Sequence, residues 1–315
     1  MKNLLTLLCI VCACIGFISC GCHDENISYQ VFTRFDSKCS NYQGSYCSFI
    51  QDYTTGTAAA LEGKLVIGYD KSADTCIIFT NGIPNHNVND ETNKFANTPA
   101  PVYRCFTITN SPTAAPGTPT PLGTNRYNAI LLNGAIVDLI ADGCCDEAKG
   151  GDIQAGCADP SASWRLDPMN EKAGFTKDKH NAHCQNDGTY HYHGPPIGVY
   201  KYPSTKVSPV IGFAADGFPI HGPYFEDNKG VIREARSSYR KAPPPRPSDG
   251  GVCPVGTERD GKYIQDYVYV AGFGDLDECN GMVFKGQYYY FVTHDYPYIM
   301  KCFMGTPNPT FDHSP

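Results

Sequence analysis

Apolar residues along this chain alternate with polar ones in short runs. Eight runs rich in Val, Ile, Tyr and Phe are the best strand candidates: residues 65–69, 75–80, 103–109, 129–132, 190–193, 210–214, 267–270 and 288–293. No apolar pattern with a 3.6-residue period reaches the length of a helix. The pattern predicts a mainly β fold of antiparallel sheets, sandwich-like or barrel-like, with few short helices.

Glycine and proline punctuate these runs. The chain has 31 glycines, 24 prolines and 21 tyrosines, a composition that favours strands and turns over helices. Two proline-rich stretches, residues 112–121 and 242–247, are predicted to be surface loops or connections between lobes. With 315 residues the chain can bury a large core, either as one β-rich domain or as two fused lobes.

Residues 1–21 have the pattern of a secretory signal peptide. A basic residue precedes an apolar run, and the small residues Ser19 and Gly21 favour cleavage before Cys22. The alternative is a bacterial lipoprotein box in which Cys20 is acylated. No later segment has the roughly 18 apolar residues of a membrane span. We therefore expect a secreted, extracellular protein without a membrane span, and Asn26 begins a glycosylation sequon.

The cysteines predict a disulfide-stapled fold. Four of the 16 cysteines lie in the predicted signal peptide, and the remaining twelve are an even number for an oxidising compartment. The pairing stays open, although the adjacent Cys144 and Cys145 are expected to bond to different partners. For Cys184 we expect a disulfide rather than a role as a metal ligand or nucleophile. Residues 22–62 are predicted to be a Cys-bearing N-terminal extension, and residues 63–315 the β-rich domain.

Charge narrows the range of partners. The formal net charge is −7, with 18% charged residues and no basic run. Nucleic acid and anionic membranes are therefore poor candidate partners, because both attract basic surfaces. The expected partner is a metal ion, joined by a small-molecule substrate if the site is catalytic.

The strongest chemical signal is the group His183, His191 and His193, three histidines within eleven residues. Side chains two residues apart on a strand share a face, so His191 and His193 project together. The turn-prone segment 186–188 could fold His183 back to that face, which gives a three-nitrogen site of the kind that zinc or copper accepts. The alternative is a strand whose histidines only hydrogen-bond to backbone carbonyls.

Further residues complete the predicted centre. His86, presented by the turn 81–86, is the expected fourth ligand, and His221 is a weaker candidate. The tyrosines of the motif would lie on the opposite face of the strand and serve in packing. Binding should weaken steeply below about pH 6, because each imidazole must lose its proton to bind a metal. Two carboxylates are candidate acceptors for imidazole N–H groups: Asp187 and Asp216.

A second ion site is considered in a turn flanked by glycines. Its oxygen-bearing side chains are of the kind that calcium prefers: Asp275, Asp277, Glu278 and Asn280. The spacing is not that of an EF-hand loop, and a solvated turn is the favoured interpretation.

Two pairs of segments hint at internal duplication. Residues 81–86 are similar to residues 216–221, and residues 188–193 are similar to residues 286–291, where both histidines are lost. If the halves share an architecture, only the first keeps the histidine strand. Chance similarity between turn–strand units is the alternative.

The chain resembles the YHYH protein family, which is named for the motif at residues 190–193. The likeness runs from about residue 65 to residue 311 through ordered blocks: residues 81–86, 133–134, 181–183, 187–194, 212–219, 237–240, 265–267, 274–281 and 295–298. The resemblance implies a secreted or periplasmic protein with a metal-binding role. His221 and His294 stand where relatives more often carry Tyr and an acidic residue. The extra cysteines favour an animal-type extracellular setting.

Three classes of function remain. The sequence lacks G-x-S-x-G, H-E-x-x-H, P-loop and dinucleotide-binding patterns, which argues against the common hydrolase, metalloprotease, kinase and dehydrogenase classes. The first class is a secreted protein that binds copper or zinc. The second is a metal-dependent extracellular enzyme, with a copper oxidoreductase as the leading form. The third is a disulfide-rich extracellular matrix component without catalysis.

Overall fold

The computed structural model describes residues 34–90, 95–157, 164–199, 204–246, 253 and 258–313. The predicted signal peptide, Cys20 and the sequon at Asn26 lie outside these residues. The strands in the described part are β1 Gly44–Asp52, β2 Ala59–Asp70, β3 Thr75–Thr80, β4 Arg104–Thr109, β5 Thr120–Pro121, β6 Ala129–Leu131, β7 Ile136–Val137, β8 Cys144–Asp146, β9 Gly151–Ile153, β10 Ala182–Cys184, β11 Tyr190–Tyr192, β12 Val210–Ala214, β13 Pro219–His221, β14 Tyr224–Glu226, β15 Ile232–Glu234, β16 Tyr239–Lys241, β17 Tyr267–Tyr269, β18 Gly281–Phe284, β19 Gln287–Phe291 and β20 Cys302–Phe303.

The mainly β prediction is confirmed. Each of the eight predicted strands overlaps an observed one, and the helices in the described residues are short 3₁₀ turns: Cys39–Tyr42, Glu147–Lys149, Glu171–Ala173, Ile264–Asp266 and Pro309–Phe311. In the described part of the chain, no helix has the length and apolar character needed to cross a membrane.

The first sheet is antiparallel, with the order β1-β2-β3-β4. Strand β1 pairs with β2 along its whole length, although the sequence pattern did not predict it. The pattern missed β1 because this strand has no regular run of buried apolar residues: only Ser48, Ile50 and Asp52 are buried. Part of the predicted Cys-bearing extension is therefore paired into a sheet, and β2 itself crosses the expected boundary near residue 62.

The second sheet has eight strands in the order β10-β11-β7-β6-β12-β13-β19-β18. Most of its neighbours are antiparallel, but β7 and β11 are parallel, as are β13 and β19. The sequence pattern did not reveal these two parallel pairs, because each joins strands that are far apart in the chain. Four two-stranded sheets complete the described strands: β5 with β20, β8 with β9, β14 with β15, and β16 with β17.

The eight-stranded sheet contains two units of the same topology. The first unit consists of the hairpins β6–β7 and β10–β11, with β7 parallel to β11. The second consists of the hairpins β12–β13 and β18–β19, with β13 parallel to β19. Strands β6 and β12 join the units at the middle of the sheet. The likeness between residues 188–193 and 286–291 therefore has a structural basis, because these segments form the equivalent strands β11 and β19.

The other proposed match between halves is wrong. Residues 81–86 follow β3 in the four-stranded sheet, whereas the turn at Asp216 and Gly217 joins β12 to β13. The equivalent turn in the first unit is Asn133–Gly134, between β6 and β7. Gly134 and Gly217 both have a φ of +87°, a backbone conformation that glycine adopts without strain.

One hydrophobic core joins the two large sheets. It includes Ile78 and Phe106 from the first sheet and Ile130, Phe213 and Ile220 from the second. A smaller cluster is formed by other residues: Cys145, Trp164, Leu166, Ala173 and Tyr263.

Disulfides staple this fold, as predicted. Four bonds are Cys39–Cys76, Cys144–Cys157, Cys145–Cys253 and Cys279–Cys302, and Cys47 and Cys105 are also disulfide-bonded. The adjacent Cys144 and Cys145 bond to different partners. The prediction of a disulfide at Cys184 is wrong, because Cys184 is a buried free thiol. It lies opposite Tyr190 in the strand register and belongs to the hydrophobic core.

Candidate metal centre

Strand register brings three histidines to one face at the edge of the eight-stranded sheet. His183 on β10 lies directly opposite His191 on β11, and opposed residues of antiparallel strands share a face. His193 is two residues beyond His191 and so projects to the same side. Its backbone N–H donates to the Asn181 carbonyl at 2.9 Å, which continues the pairing of the two strands. The turn at residues 186–188 thus folds His183 onto the face of the other two histidines.

The Nε2 atoms of the three rings converge. His193 Nε2 lies 3.0 Å from His191 Nε2 and 3.0 Å from His183 Nε2. The three ligand atoms all lie within 4.8 Å of one another. In a tetrahedral zinc site with Zn–N bonds of about 2.0–2.1 Å, ligand nitrogens are roughly 3.3 Å apart. Two of the three spacings are close to this value, so the three histidines form a group that can hold a single ion.

Backbone carbonyls determine which ring nitrogens carry protons. His183 Nδ1 donates to the Thr176 carbonyl at 2.7 Å, and His191 Nδ1 donates to the Thr189 carbonyl at 3.2 Å. Because a carbonyl only accepts, both Nδ1 atoms are protonated and both Nε2 atoms present lone pairs. His193 Nδ1 has no hydrogen-bond partner, and with the ring proton on that atom the Nε2 lone pair of His193 is repelled by those of the other two rings, each 3.0 Å away. A cation at this point removes that repulsion.

Burial keeps the three rings neutral. It lowers the pKa of His183, lowers that of His191 to about 3, and brings that of His193 well below the ordinary value. Neighbouring imidazoles add to the decrease in the last two pKa values. Near neutral pH the nitrogens are therefore ready to bind a metal without losing a proton. We therefore expect metal binding to weaken at a lower pH than the value near 6 expected from the sequence, because these rings are protonated only at lower pH.

The three histidines line a cleft of about 670 Å³ that opens to solvent. Amide side chains contribute to its walls, and three carboxyl groups do so as well: Asp138, Asp142 and Asp187. Among the lining residues that the structure describes, there is no lysine or arginine. A molecule in this cleft can reach the histidine nitrogens, so a metal held there keeps an accessible coordination position.

Asp138 is a polar residue of the cleft that the sequence analysis did not identify. It follows β7, and its backbone N–H donates to the Tyr192 carbonyl at 3.0 Å. It is only 5% exposed, and burial raises the pKa of its carboxyl to about 8, with Asp142 adding to the increase. His313 lines the same cleft from the end of the described chain. Asp138 could have been noticed as an acidic residue directly after an apolar strand, whereas nothing near His313 marks it.

Comparison with known proteins assigns the chain to a family. A family model described as YHYH protein matches residues 105–305. The chain belongs to the YHYH protein family. The matched region includes the three clustered histidines and both units of the eight-stranded sheet. A search of the curated proteins and of the solved structures finds no match.

The two tyrosines of the YHYH motif lie on the strand face opposite the histidines, and both are buried. Tyr190 OH donates to Asp178 Oδ2 at 3.0 Å. Tyr192 OH donates to His86 Nε2 at 2.5 Å and accepts from Asn133 Nδ2 at 2.9 Å. Since His86 contacts the tyrosine face, it is not part of the histidine cluster. This placement corrects the prediction that His86 is the fourth ligand.

His221 also lies away from the cluster. It is buried on β13, where Nδ1 donates to the Gly222 carbonyl at 2.7 Å and the ring packs 4.7 Å from that of Phe291. The nearby Asp216 accepts from Tyr290 OH at 2.6 Å and serves the β12–β13 turn. Neither residue contacts the clustered imidazoles, which corrects both predictions.

Asp187 lines the cleft but does not accept from an imidazole. Its carboxylate accepts the Thr189 N–H at 2.9 Å and pairs with Arg104 at 3.2 Å. The imidazole N–H groups of His183 and His191 instead donate to backbone carbonyls. Sequence reasoning missed these acceptors because every residue has a carbonyl and only the fold decides which one is near.

Two of the four residues of the predicted calcium turn, Asp275 and Asp277, use their carboxylates within the protein. The Asp275 carboxylate forms two hydrogen bonds with Arg233, at 2.8 and 2.7 Å. Asp277 Oδ1 accepts two backbone N–H groups of its own turn, each at 2.9 Å. In the described residues, the histidine triad is the only group of three His, Cys, Asp or Glu close enough to hold one ion. Asp275, Asp277 and Glu278 therefore do not form such a group, and the solvated turn remains the favoured interpretation.

The second unit of the sheet shows what the fold requires at the histidine positions. By strand register, the residues equivalent to His183, His191 and His193 are Met282, Tyr289 and Phe291. The same pair of hairpins therefore forms with no histidine at these places. The histidines are specific to the first unit, and the topology alone does not explain them.

Proposed function

We propose that this YHYH protein binds one transition-metal ion, copper or zinc, outside the cell through His183, His191 and His193. The observation that carries the proposal is the convergence of three Nε2 atoms, with that of His193 3.0 Å from each of the other two. Hydrogen bonds from Nδ1 to carbonyls leave two of these atoms with lone pairs aimed at one point. Imidazole nitrogen suits both metals.

The second unit argues against a purely architectural role for the triad. In the equivalent hairpin of the second unit, Met, Tyr and Phe fill the same positions. Packing alone therefore does not require buried imidazoles with lowered pKa values. Burying these polar rings in the first unit costs free energy, because they lose their hydrogen bonds to water. A ligand for those rings gives that arrangement a function.

Extracellular location is part of the same proposal. The pattern of residues 1–21 is that of a signal peptide. The disulfides support it, since such bonds persist mainly in oxidising compartments.

A metal-dependent enzyme is the second candidate, and the cleft favours it. Structural zinc sites are closed by four protein ligands, whereas catalytic sites keep one position open. The triad supplies three ligands, and the cleft of about 670 Å³ reaches them. In such an enzyme a bound metal would supply Lewis acidity or, as copper in an oxidoreductase, redox chemistry. The protein would hold the metal with the histidines and shape access through the cleft.

Metal titration of the metal-free protein at pH 7.5 tests the proposal. We expect about one Cu(II) or Zn(II) ion per chain, measured by elemental mass spectrometry after gel filtration. The His191→Ala/His193→Ala variant should bind at least about 100-fold more weakly, because losing two ligands exceeds the roughly 10–100-fold effect of altering a residue that supports a ligand.

Two further variants serve as controls. His294→Gln removes an exposed histidine that pairs with Glu234 at 3.1 Å, and it should keep full binding. His183→Met/His191→Tyr/His193→Phe installs the residues of the second unit, so it should fold and not bind. Uptake far below one ion per chain, unchanged in the double alanine variant, would favour the disulfide-rich matrix component instead.

A further inference from the structure

Two polar atoms in the cleft wall have no hydrogen-bond partner. They are Asp138 Oδ1 and His313 Nε2, and both are buried. Asp138 Oδ2 lies 3.8 Å from His313 Nε2, too far for a hydrogen bond. Its contact with Gln185 Nε2, at 3.5 Å, is long. The wall next to the histidines therefore offers unused hydrogen-bonding capacity.

Buried polar atoms are rarely left in this state, because the hydrogen bonds they lose to water are not replaced. A molecule in the cleft is the natural partner for them. Two hydrogen bonds of about 2.8 Å each can span the 3.8 Å between Asp138 Oδ2 and His313 Nε2, so one ligand atom can contact both side chains.

The lining of the cleft selects the chemistry of that molecule. Three carboxyl groups and no described lysine or arginine line it, so apart from the metal itself an anion would find no counter-charge in the wall. A carboxyl group accepts a hydrogen bond whether ionised or protonated, since one oxygen remains an acceptor in either form. An uncharged molecule with an N–H or O–H donor therefore suits this wall.

We propose that the cleft binds a small uncharged molecule that gives a lone pair to the metal and donates an N–H or O–H group to Asp138, with His313 as a second contact. This inference rests on the proposed metal site. Asp138 is a positioning residue and not a metal ligand, because its carboxyl is not among the atoms that converge with the histidine nitrogens. It determines which ligands bind well.

The test uses copper-loaded protein and matched pairs of small azoles. Imidazole is compared with 1-methylimidazole, and pyrazole with 1-methylpyrazole, since each pair shares the metal-binding nitrogen and differs in the N–H group. Titrations are followed by the visible absorption of Cu(II). We expect imidazole or pyrazole to bind about tenfold more tightly than its methylated counterpart, as a hydrogen bond to a buried carboxyl implies.

Variants of Asp138 separate the hydrogen bond from steric exclusion of the methyl group. Asp138→Asn keeps an acceptor oxygen and should retain most of the preference. Asp138→Leu fills a similar space without an acceptor, and the preference should fall below about twofold. The control is His294→Gln, because His294 is exposed, pairs with Glu234 and does not line the cleft. It should keep the full preference.

The outcomes distinguish the two proposals. Copper uptake by each protein is measured first, and failure of the wild type to take up copper overturns the metal site and this inference with it. If copper binds and neither azole pair shows a preference, the cleft atoms are served by water and the inference alone is wrong. A preference that survives in Asp138→Leu is steric and also overturns it. If Asp138→Leu fails to take up copper, Asp138→Ala replaces it in the same comparison.

Discussion

Histidine side chains in this protein differ in what their ring nitrogens contact, and the contact decides the role. In His183 and His191 a carbonyl accepts from Nδ1, and Nε2 faces other imidazoles. In His86, Nε2 accepts from a phenol on the far side of the strand. In His221, Nε2 is buried without a partner among aromatic rings. Spacing in the sequence identifies the first group, because all its members lie on one pair of strands.

The substitution His221→Phe should make stability less sensitive to acid. Burial lowers the pKa of His221 to about 4, below the value near 6.5 of an unfolded chain. When the pH falls below 6.5, His221 of the unfolded chain binds a proton, whereas His221 of the folded protein does not bind one until about pH 4. Stability therefore drops by about 2 kcal/mol between pH 7.5 and pH 5 because of this residue.

Urea denaturation at the two pH values measures this effect. The phenylalanine variant should lose about 2 kcal/mol less than the wild type on going from pH 7.5 to pH 5. Only the difference between pH values is compared, since the variant also loses the hydrogen bond from Nδ1 to the Gly222 carbonyl. An identical pH dependence in both proteins would show that His221 does not titrate as described.

At the scale of elements, one β-hairpin design occurs twice with different chemistry. The hairpins at the two edges of the large sheet are β10–β11 and β18–β19, and an aspartate precedes each: Asp178 before β10 and Asp277 before β18. The Oδ1 atom of each aspartate accepts the backbone N–H groups two and four residues later. Each aspartate also accepts from a tyrosine of the second strand, Tyr190 or Tyr288. Asn181 and Asn280 both have a φ of +66° in these turns. The carboxylates therefore build the hairpins, whereas the histidines are an addition to one of them.

This equivalence gives a matched pair of variants, Asp178→Ala and Asp277→Ala. Both should destabilise the protein by about 2–4 kcal/mol, because each removes several hydrogen bonds to one carboxyl. Only Asp178→Ala should also weaken metal binding, by roughly 10–100-fold, since its turn holds the strand that carries His183. Chemical denaturation and metal titration of both variants check this. Equal metal affinity in the two would mean that the turn does not position His183.

How far the sequence predicts this fold depends on the range of the interactions involved. Alternation along β11 is a local property, so the shared face of His191 and His193 could be predicted. The position of His86 depends on packing between distant segments, and the turn at residues 81–86 gave no information about the face it meets. The acidic turn near Asp277 was considered as a calcium site for another reason. Carboxylates that accept backbone N–H groups cannot be distinguished from calcium ligands in a sequence.

At the scale of the whole molecule, the cleft is formed by segments that are distant in the chain. The triad lies at the edge of the large sheet, while Gln154 and Ala155 face it from a loop closed by the Cys144–Cys157 disulfide. Cleft lining of this kind is set by the core and the disulfides together. No short motif encodes it, which is why the sequence does not place Asp138 and His313 together in one cleft.

Removal of that disulfide should separate cleft shape from metal binding. Cys144→Ala/Cys157→Ala opens a loop with a sequence separation of 13 residues, for which loop-closure entropy predicts a loss of about 3 kcal/mol. Metal affinity should stay within about threefold of the wild type, because the ligands are held by the sheet and not by the loop. Chemical denaturation and zinc titration measure the two effects. A large loss of zinc affinity would show that the loop holds the centre together.

Metal binding and global stability should be linked, because an ion that binds only the folded chain stabilises it. With zinc at about 100 times its dissociation constant, the expected gain is about 2.7 kcal/mol, or a rise of about 5 °C in melting temperature for a chain of this size. The variant His183→Met/His191→Tyr/His193→Phe should show no such rise. Without metal it should melt at or above the temperature of the wild type, since the second unit folds with these residues and the repulsion between imidazole lone pairs is gone. Differential scanning calorimetry with zinc and with a chelator compares the four states. A zinc-dependent rise that persists in the variant would place the stabilising ion elsewhere in the protein.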